Sequence, residues 1–233
     1  MQRYDTVLFD ADGTLFDFIK CEREALITAC RKFGIELDEA MIKRYSEIND
    51  GLWKALERGE VGKEELRVLR FRRFAEEENF SCDFTALSYE YTDRLSEQHF
   101  LIDGAEEICR DLSEICDLYV ITNGIESVQK SRFARSPLKK YFKKLFISGE
   151  IGYEKPDIRF FDAVRNGICG FDGARTLVVG DSLTSDIMGG VGAGLDCCFF
   201  TPENRDVSGV KGIKYKITKL SEIMPIVTGE DMA

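Results

Sequence analysis

From about residue 100 onward, short apolar runs alternate with helical segments, and this alternation restricts the fold more than any other feature of the chain. "DLYVITNG", "KLFISGE", "ARTLVVGDS" and "LDCCFFT" hold apolar stretches too short for buried helices and too continuous for strands with one wet face. Between them, "GAEEICRDLSEI", "IESVQKSRFARS" and "DIRFFDAVRNG" carry apolar residues at helical spacing. Strand, helix and strand in succession build a parallel sheet covered on both faces. "VLF" at 7–9 reads as one more buried strand, "DIMGGVGAG" as a glycine-rich helix packed close to its neighbours, and "IKYKI" as an edge strand.

Residues 17–98 have a different texture. "IKCEREALITACRKFG", "KEELRVLRFRRFAEEENF" and "DFTALSYEYTDRLSEQ" are helical, and "DEAMIKRYSEINDGLWKALERG" is helical with an expected interruption at Asn49 to Gly51. No proline precedes position 137, so nothing in the segment forces a break of that kind. The expected organisation is an α/β core with a central parallel sheet, formed by residues 1–16 and 99–233, and an all-helical insertion at 17–98.

Composition narrows the partners. The formal charge of -10, from 32 basic and 42 acidic residues, repels polyanions, and the densest basic cluster, Lys139, Lys140, Lys143 and Lys144, reads as a solvated edge beside a strand. A nucleic-acid polymer is therefore not an expected partner. The eight cysteines show no metal-binding spacing, and several lie inside apolar runs, where a thiol behaves as a small hydrophobe. Free thiols, no leader peptide at "MQRYD" and no apolar run near the ~20 residues of a membrane span give the expectation of a cytoplasmic protein with no membrane partner.

Polar residues gather where the strands end. Asp10 and Asp12 follow "VLF", Thr122 and Asn123 follow "DLYVI", Lys155 comes shortly after the third strand, and Asp181 closes "TLVVG". In an open parallel sheet, ligands bind beyond the carboxyl ends of the strands. A buried carboxylate is costly unless it is paired or bound to a cation, so three aspartates call for a hard divalent ion, and oxygen ligands without His or Cys specify Mg2+. With its charge neutralised, Asp10 can attack phosphorus. Asp12 can give a proton to the leaving oxygen and later take one from water. Thr122 and the backbone amides around Asn123 and Gly124 are placed to hold phosphoryl oxygens, and Lys155 supplies a fixed positive charge.

Four short motifs occur in a telling order: "DADGT" at 10–14, "ITNG" at 121–124, "KP" at 155–156 and "GDSLTSD" at 180–186. On these the chain resembles the haloacid dehalogenase-like (HAD) hydrolase superfamily. The resemblance implies a Rossmann-like core with an inserted helical cap. It also implies Asp10 as nucleophile, Asp12 as the acid/base whose backbone carbonyl joins the metal, Asp181 as a metal ligand, and Thr14 and Asp186 in support. "DADGTLFD", "INDGLWKALERGEV", "ITNGIESVQKSRF" and "SGEIGYEKPDIRFF" are similar to a bacterial subgroup of pyrimidine-nucleotide 5'-phosphatases.

The implied activity is Mg2+-dependent hydrolysis of a small phosphorylated metabolite, a pyrimidine nucleoside 5'-monophosphate, through an aspartyl-phosphate. Asn49 and Trp53 are the expected substrate-facing residues of the cap. A sugar-phosphate phosphatase or a phosphomutase of the same fold is the alternative. A dehalogenase has no need of an acid at Asp12, and a non-catalytic binding protein has no need of the intact constellation.

Overall fold

The computed structural model describes residues 2–230 and divides into two compact units, Met1–Asp17 with Leu101–Ala233 and, separately, Phe18–Phe100. The second unit is wholly helical: α1 (Phe18–Lys32), α2 (Glu39–Glu57), α3 (Lys63–Glu78) and α4 (Phe84–Glu97). Asp38 and Asp83 accept hydrogen bonds from the amides of Met41 and Ala86, so α2 and α4 both begin on side-chain caps. The expected interruption at Asn49 to Gly51 is absent, and α2 runs unbroken through it. A glycine inside a helix costs only about 1 kcal/mol. Burial of Ile42, Tyr45 and Leu52 along one face, with the Asp50–Lys54 ion pair one turn apart, outweighs that cost.

The other unit is a six-stranded parallel sheet in the order β3-β2-β1-β4-β5-β6. In chain order, β1 (Thr6–Phe9) is followed by α5 (Ala105–Ser113), β2 (Asp117–Thr122), α6 (Glu126–Arg135) and β3 (Phe142–Ile147). Then come α7 (Ser148–Ile151), α8 (Ile158–Gly167), β4 (Thr176–Gly180), a π-helical turn at Leu183–Ile187, α9 (Met188–Gly192), β5 (Asp196–Phe200), β6 (Tyr215–Ile217) and α10 (Ile223–Thr228).

Successive strand residues go to opposite faces, and both faces are dry. Val7, Phe9, Leu118, Val120, Leu177 and Val179 pack with α5 and α10 residues, whereas Leu8, Tyr119, Ile121 and Val178 pack with Phe160, Phe161 and Val164 of α8. This is the physical origin of the uninterrupted apolar runs. Two boundaries differ from expectation. The third strand begins at Phe142, two residues before the expected start at Lys144, and stops at Ile147, because Ser148 to Ile151 turn into a helical turn closed by Gly152; Lys143 and Lys144 both lie in it. The two lysines are exposed on an edge strand, where charge discourages further pairing. Among the described residues no helix is long and apolar enough to cross a membrane.

Strand order reverses between β1 and β4, and Asp10 continues the ladder there, its amide donating to the Val179 carbonyl at 2.8 Å. The carboxyl ends of these two strands flank the switch point where ligands of open α/β sheets bind.

The helical unit has one unusual interior. Glu22 of α1 is buried and accepts from the Ser46 hydroxyl and from Asn49 Nδ2 at 2.7 Å, while Arg70 Nη1 donates to Asn49 Oδ1 at 3.3 Å. The Arg70 guanidinium lies 4.5 Å from the Tyr91 ring centroid, within an aromatic cluster of Tyr45, Phe71 and Phe74. Burial pushes the Glu22 pKa above the ordinary 4.5, against the opposing pull of Ser46, Asn49 and Arg70. A carboxyl raised in the folded state binds its proton more tightly there than in the unfolded chain. It therefore supports folding most at low pH and loses that contribution as pH rises through the folded pKa. Trp53, the single tryptophan, lies in this unit and reports its unfolding. The melting temperature followed by Trp53 fluorescence should fall as pH rises above the ordinary carboxylate range through the raised Glu22 pKa, and Glu22→Gln should flatten that slope. An unchanged slope in the variant would show that Glu22 is ionised at no cost.

Candidate active site

Lys155 organises the site. Its side chain is 1 % exposed, and Nζ donates to Asp10 Oδ1 at 2.6 Å, to Asp186 Oδ1 at 2.6 Å and to the Ile121 carbonyl at 2.8 Å. All three ammonium protons are thus used. Burial works against the lysine charge, but Asp10 and Asp186 outweigh it and hold the pKa above its ordinary value. The backbone of Lys155 is fixed by Asn123, whose Nδ2 donates to the Lys155 carbonyl and whose Oδ1 accepts the Lys155 amide, both at 2.8 Å. The Asn123 side chain is therefore spent on positioning Lys155, and what this residue can offer a phosphate is its backbone amide.

Asp10, Asp181 and Asp186 offer carboxylate oxygens that all lie within 4.8 Å of one another. Asp186 comes from the π-helical turn after β4, where its Oδ2 also accepts the Ser182 amide at 3.1 Å. Asp181 accepts from Thr14 Oγ1 at 3.2 Å, and its carbonyl accepts from Arg205 Nη2 at 3.0 Å. Gly13 brings the "DADGT" turn against Asp181: its φ is +85°, and a Cβ there would collide with the Asp181 carboxylate.

Electrostatics follow from the count of charges. Three carboxylates face one ammonium, and the surplus is negative. Burial and the neighbouring Asp186 push the Asp181 carboxyl up to about 7. Burial, with Asp186 and Asp181 adding to it, raises Asp10 against the pull of Lys155. An oxygen-only cluster with uncompensated negative charge and no His or Cys donor fits a hard divalent cation of the Mg2+ type.

Asp12 stands apart from that cluster. Its Oδ2 accepts from Gln129 Nε2 at 2.5 Å, and its Oδ1 is paired with the Arg132 guanidinium. Thr122, fully buried at the end of β2, accepts the Gly124 amide at 3.0 Å and Gln129 Nε2 at 3.3 Å on the same hydroxyl. The structure thus brings Asp10, Lys155, Asp181, Asp186 and Thr14 together, with Asp12 and Thr122 linked to each other through Gln129. Asn49 and Trp53 lie in the other unit, Asn49 held by Glu22 and Arg70 and Trp53 packed beside Leu52, Val61 and Leu66.

Gln129, Arg132 and Arg205 were not singled out from the sequence. "ESVQKSRF" reads as a helix whose polar residues face solvent, and only the three-residue spacing of Gln129 and Arg132, which places them on one face, hints that they act together.

The comparisons with known proteins agree with this geometry. A family model described as haloacid dehalogenase-like hydrolase matches residues 4–194. The HAD-hydrolase YfnB of Bacillus subtilis is 38% identical over 99% of this chain and 98% of its own length. Its solved structure, described as bound to magnesium, superposes with a TM-score of 0.92 over 97% of this chain and 99% of that one. The pyrimidine 5'-nucleotidase PynA of Streptococcus pneumoniae is 37% identical over 86% of this chain and 85% of its own. The pyrimidine 5'-nucleotidase YjjG of Escherichia coli is 29% identical over 88% and 89%. With strand-end aspartates, a buried lysine between them and a family match over most of its length, the chain belongs to the haloacid dehalogenase-like hydrolases.

Proposed function

We propose that the protein is a Mg2+-dependent phosphomonoesterase that works through an aspartyl-phosphate on Asp10, with pyrimidine nucleoside 5'-monophosphates as substrates. The observation that carries this reading is the Lys155 ammonium set between Asp10 and Asp186, beside a third carboxylate, Asp181, that it does not neutralise. The substrate class draws on the likeness to PynA and YjjG, both named pyrimidine 5'-nucleotidases.

In this reading Lys155 occupies Asp10 Oδ1 and leaves Oδ2 as the nucleophilic oxygen. That oxygen forms a bond to phosphorus while the bond from phosphorus to the nucleoside oxygen breaks. Asp12 delivers the proton that the departing oxygen needs, and takes a proton from the water that then cleaves the acyl phosphate, restoring the Asp10 carboxylate and releasing phosphate. Thr122 and the backbone amide of Asn123 donate to the phosphoryl oxygens, while the Gly124 amide, expected from the sequence to do so as well, is instead spent on Thr122 Oγ1 and orients that hydroxyl. Asp10, Asp181 and the Asp12 carbonyl would hold the Mg2+, which when bound supplies the positive charge that a dianionic phosphate needs next to a carboxylate. Asp186 positions Lys155, and Thr14 positions Asp181.

Hydrolysis of UMP with Mg2+, and its loss in EDTA, tests the activity. Asp10→Asn should lower kcat by at least about a thousandfold while leaving the melting temperature close to that of the wild type. Turnover that survives in EDTA or in Asp10→Asn would contradict the reading.

Discrimination among leaving groups is assigned to the helical unit, with Trp53 as the stacking surface for a base. Asn49, expected from the sequence to face substrate, is instead 2 % exposed with its amide engaged by Glu22 and Arg70, so its truncation should cost stability rather than specificity. Trp53→Ala should reduce kcat/KM for UMP by about 1 to 3 kcal/mol and leave para-nitrophenyl phosphate unaffected. Equal losses on both esters, with a lowered melting temperature, would make Trp53 an anchor of the fold.

A further inference from the structure

The Asp12 carboxylate is bound by groups other than the lysine that holds Asp10. Both of its oxygens are taken by one helix, α6, through Gln129 and Arg132. These side chains are 1 % and 0 % exposed, on the same helix as the buried Val128 and Phe133. The Arg132 guanidinium lies 4.3 Å from the Phe16 ring centroid, and Phe16 packs edge-on against Phe133 at 4.9 Å, so the cation rests on a fixed ring as well as being paired.

Gln129 makes a more telling arrangement. Its Nε2 donates to both Asp12 Oδ2 and Thr122 Oγ1, while its Oε1 is buried with no hydrogen-bond partner among the described residues. The reverse orientation of the amide would set Oε1 against a carboxylate, so the orientation is dictated chemically. An orphaned buried acceptor costs roughly 1 to 3 kcal/mol, and a methionine would fill similar space without that cost. Gly124 is part of the same design, since a Cβ there would collide with the Gln129 amide. A buried ion pair, likewise, is often replaceable by apolar residues at no loss of stability. Both features thus cost stability or contribute little to it, and what they do provide is orientation.

On this ground, and resting on the proposed phosphatase reading, we infer that Arg132 and Gln129 are positioning residues that fix the Asp12 carboxylate for proton transfer to the leaving group. Gln129 has a second duty. The Thr122 oxygen accepts from Gly124 N–H and from Gln129, which leaves the hydroxyl proton free to point away from both, as a donor to a phosphoryl oxygen. The proton-transfer group and the phosphate-binding hydroxyl are thereby held in register by one amide.

The test compares Gln129→Met, Arg132→Lys, Arg132→Met and Asp12→Asn on UMP, whose alkoxide leaves poorly, and on para-nitrophenyl phosphate, whose phenoxide leaves well. Arg132→Met should lower kcat on UMP by about tenfold or more, with a smaller loss on the aryl ester and KM changed by less than about twofold. Arg132→Lys should recover part of that loss. Gln129→Met should show the same leaving-group dependence and also weaken inhibition by inorganic phosphate. In an Asp12→Asn background, Arg132→Met should not lower the residual aryl-ester rate further, whereas Gln129→Met should keep its effect on phosphate binding through Thr122. Losses equal on the two esters, losses confined to KM, or an additive loss by Arg132→Met in the Asp12→Asn background would overturn the inference. If Arg132→Met does not fold, Arg132→Lys and Gln129→Met decide the matter by the same criteria. A wild-type protein that hydrolyses neither ester would fail the phosphatase reading itself, and the inference with it.

Discussion

The site depends on one ammonium group. Lys155 Nζ reaches the ends of β1 and β2 and the turn after β4, through Asp10, the Ile121 carbonyl and Asp186. Each contact is needed by both sides: a buried lysine without carboxylates would lose its proton, and buried carboxylates without the lysine would take one up. Removing Lys155 would leave uncompensated interior carboxylates, a far larger penalty than the net stability the pairs supply, whereas with Asp10 made neutral the ammonium still pairs with Asp186. The Asn123 clamp on the Lys155 backbone makes sense in this light, since a long flexible side chain is a precise ligand only when its root is fixed.

Around this centre the charges fall into two poles. One is the surplus of carboxylate oxygen at Asp10, Asp181 and Asp186, suited to a divalent cation and to a nucleophile. The other is Asp12, turned to Gln129 and Arg132 on α6. Two aspartates only two residues apart are thereby given different electrostatic surroundings, which is how two groups of the same chemical type come to hold different roles in one reaction. The parallel sheet makes the separation possible: β1 delivers both residues to the switch point, and the turn held by Gly13 sends their side chains to different partners.

Much of this was legible in the sequence because the sheet is dry on both faces. Continuous apolar runs marked β1, β2, β4 and β5, and a polar residue directly after each of β1 and β4 marked the site. The readings that failed concern weak local signals set against tertiary packing. Gly51 suggested a break in α2, yet the buried stripe of Ile42, Tyr45 and Leu52 carries the helix through. Lys143 read as the solvated flank of a strand expected to start at Lys144, yet an edge strand tolerates charge on its open side and takes it in. Gln129 and Arg132 escaped notice for another reason. A polar residue on a helix reads as solvated unless its partner is known, and the partner, Asp12, is 117 residues away from Gln129 in the chain. The Glu22, Asn49 and Arg70 cluster is of the same kind, joining three helices with no periodic signature.

The account turns on Asp10 as the nucleophile. Rapid acid quenching of the Mg2+-loaded enzyme during turnover of UMP, followed by peptide mass spectrometry, tests this most directly. The account predicts a mass gain of one phosphoryl group on the peptide carrying residues 4–20, located at Asp10 by reduction of the acyl phosphate with borohydride. Steady turnover with no phosphorylated Asp10, or with the phosphoryl group on another residue, would contradict it.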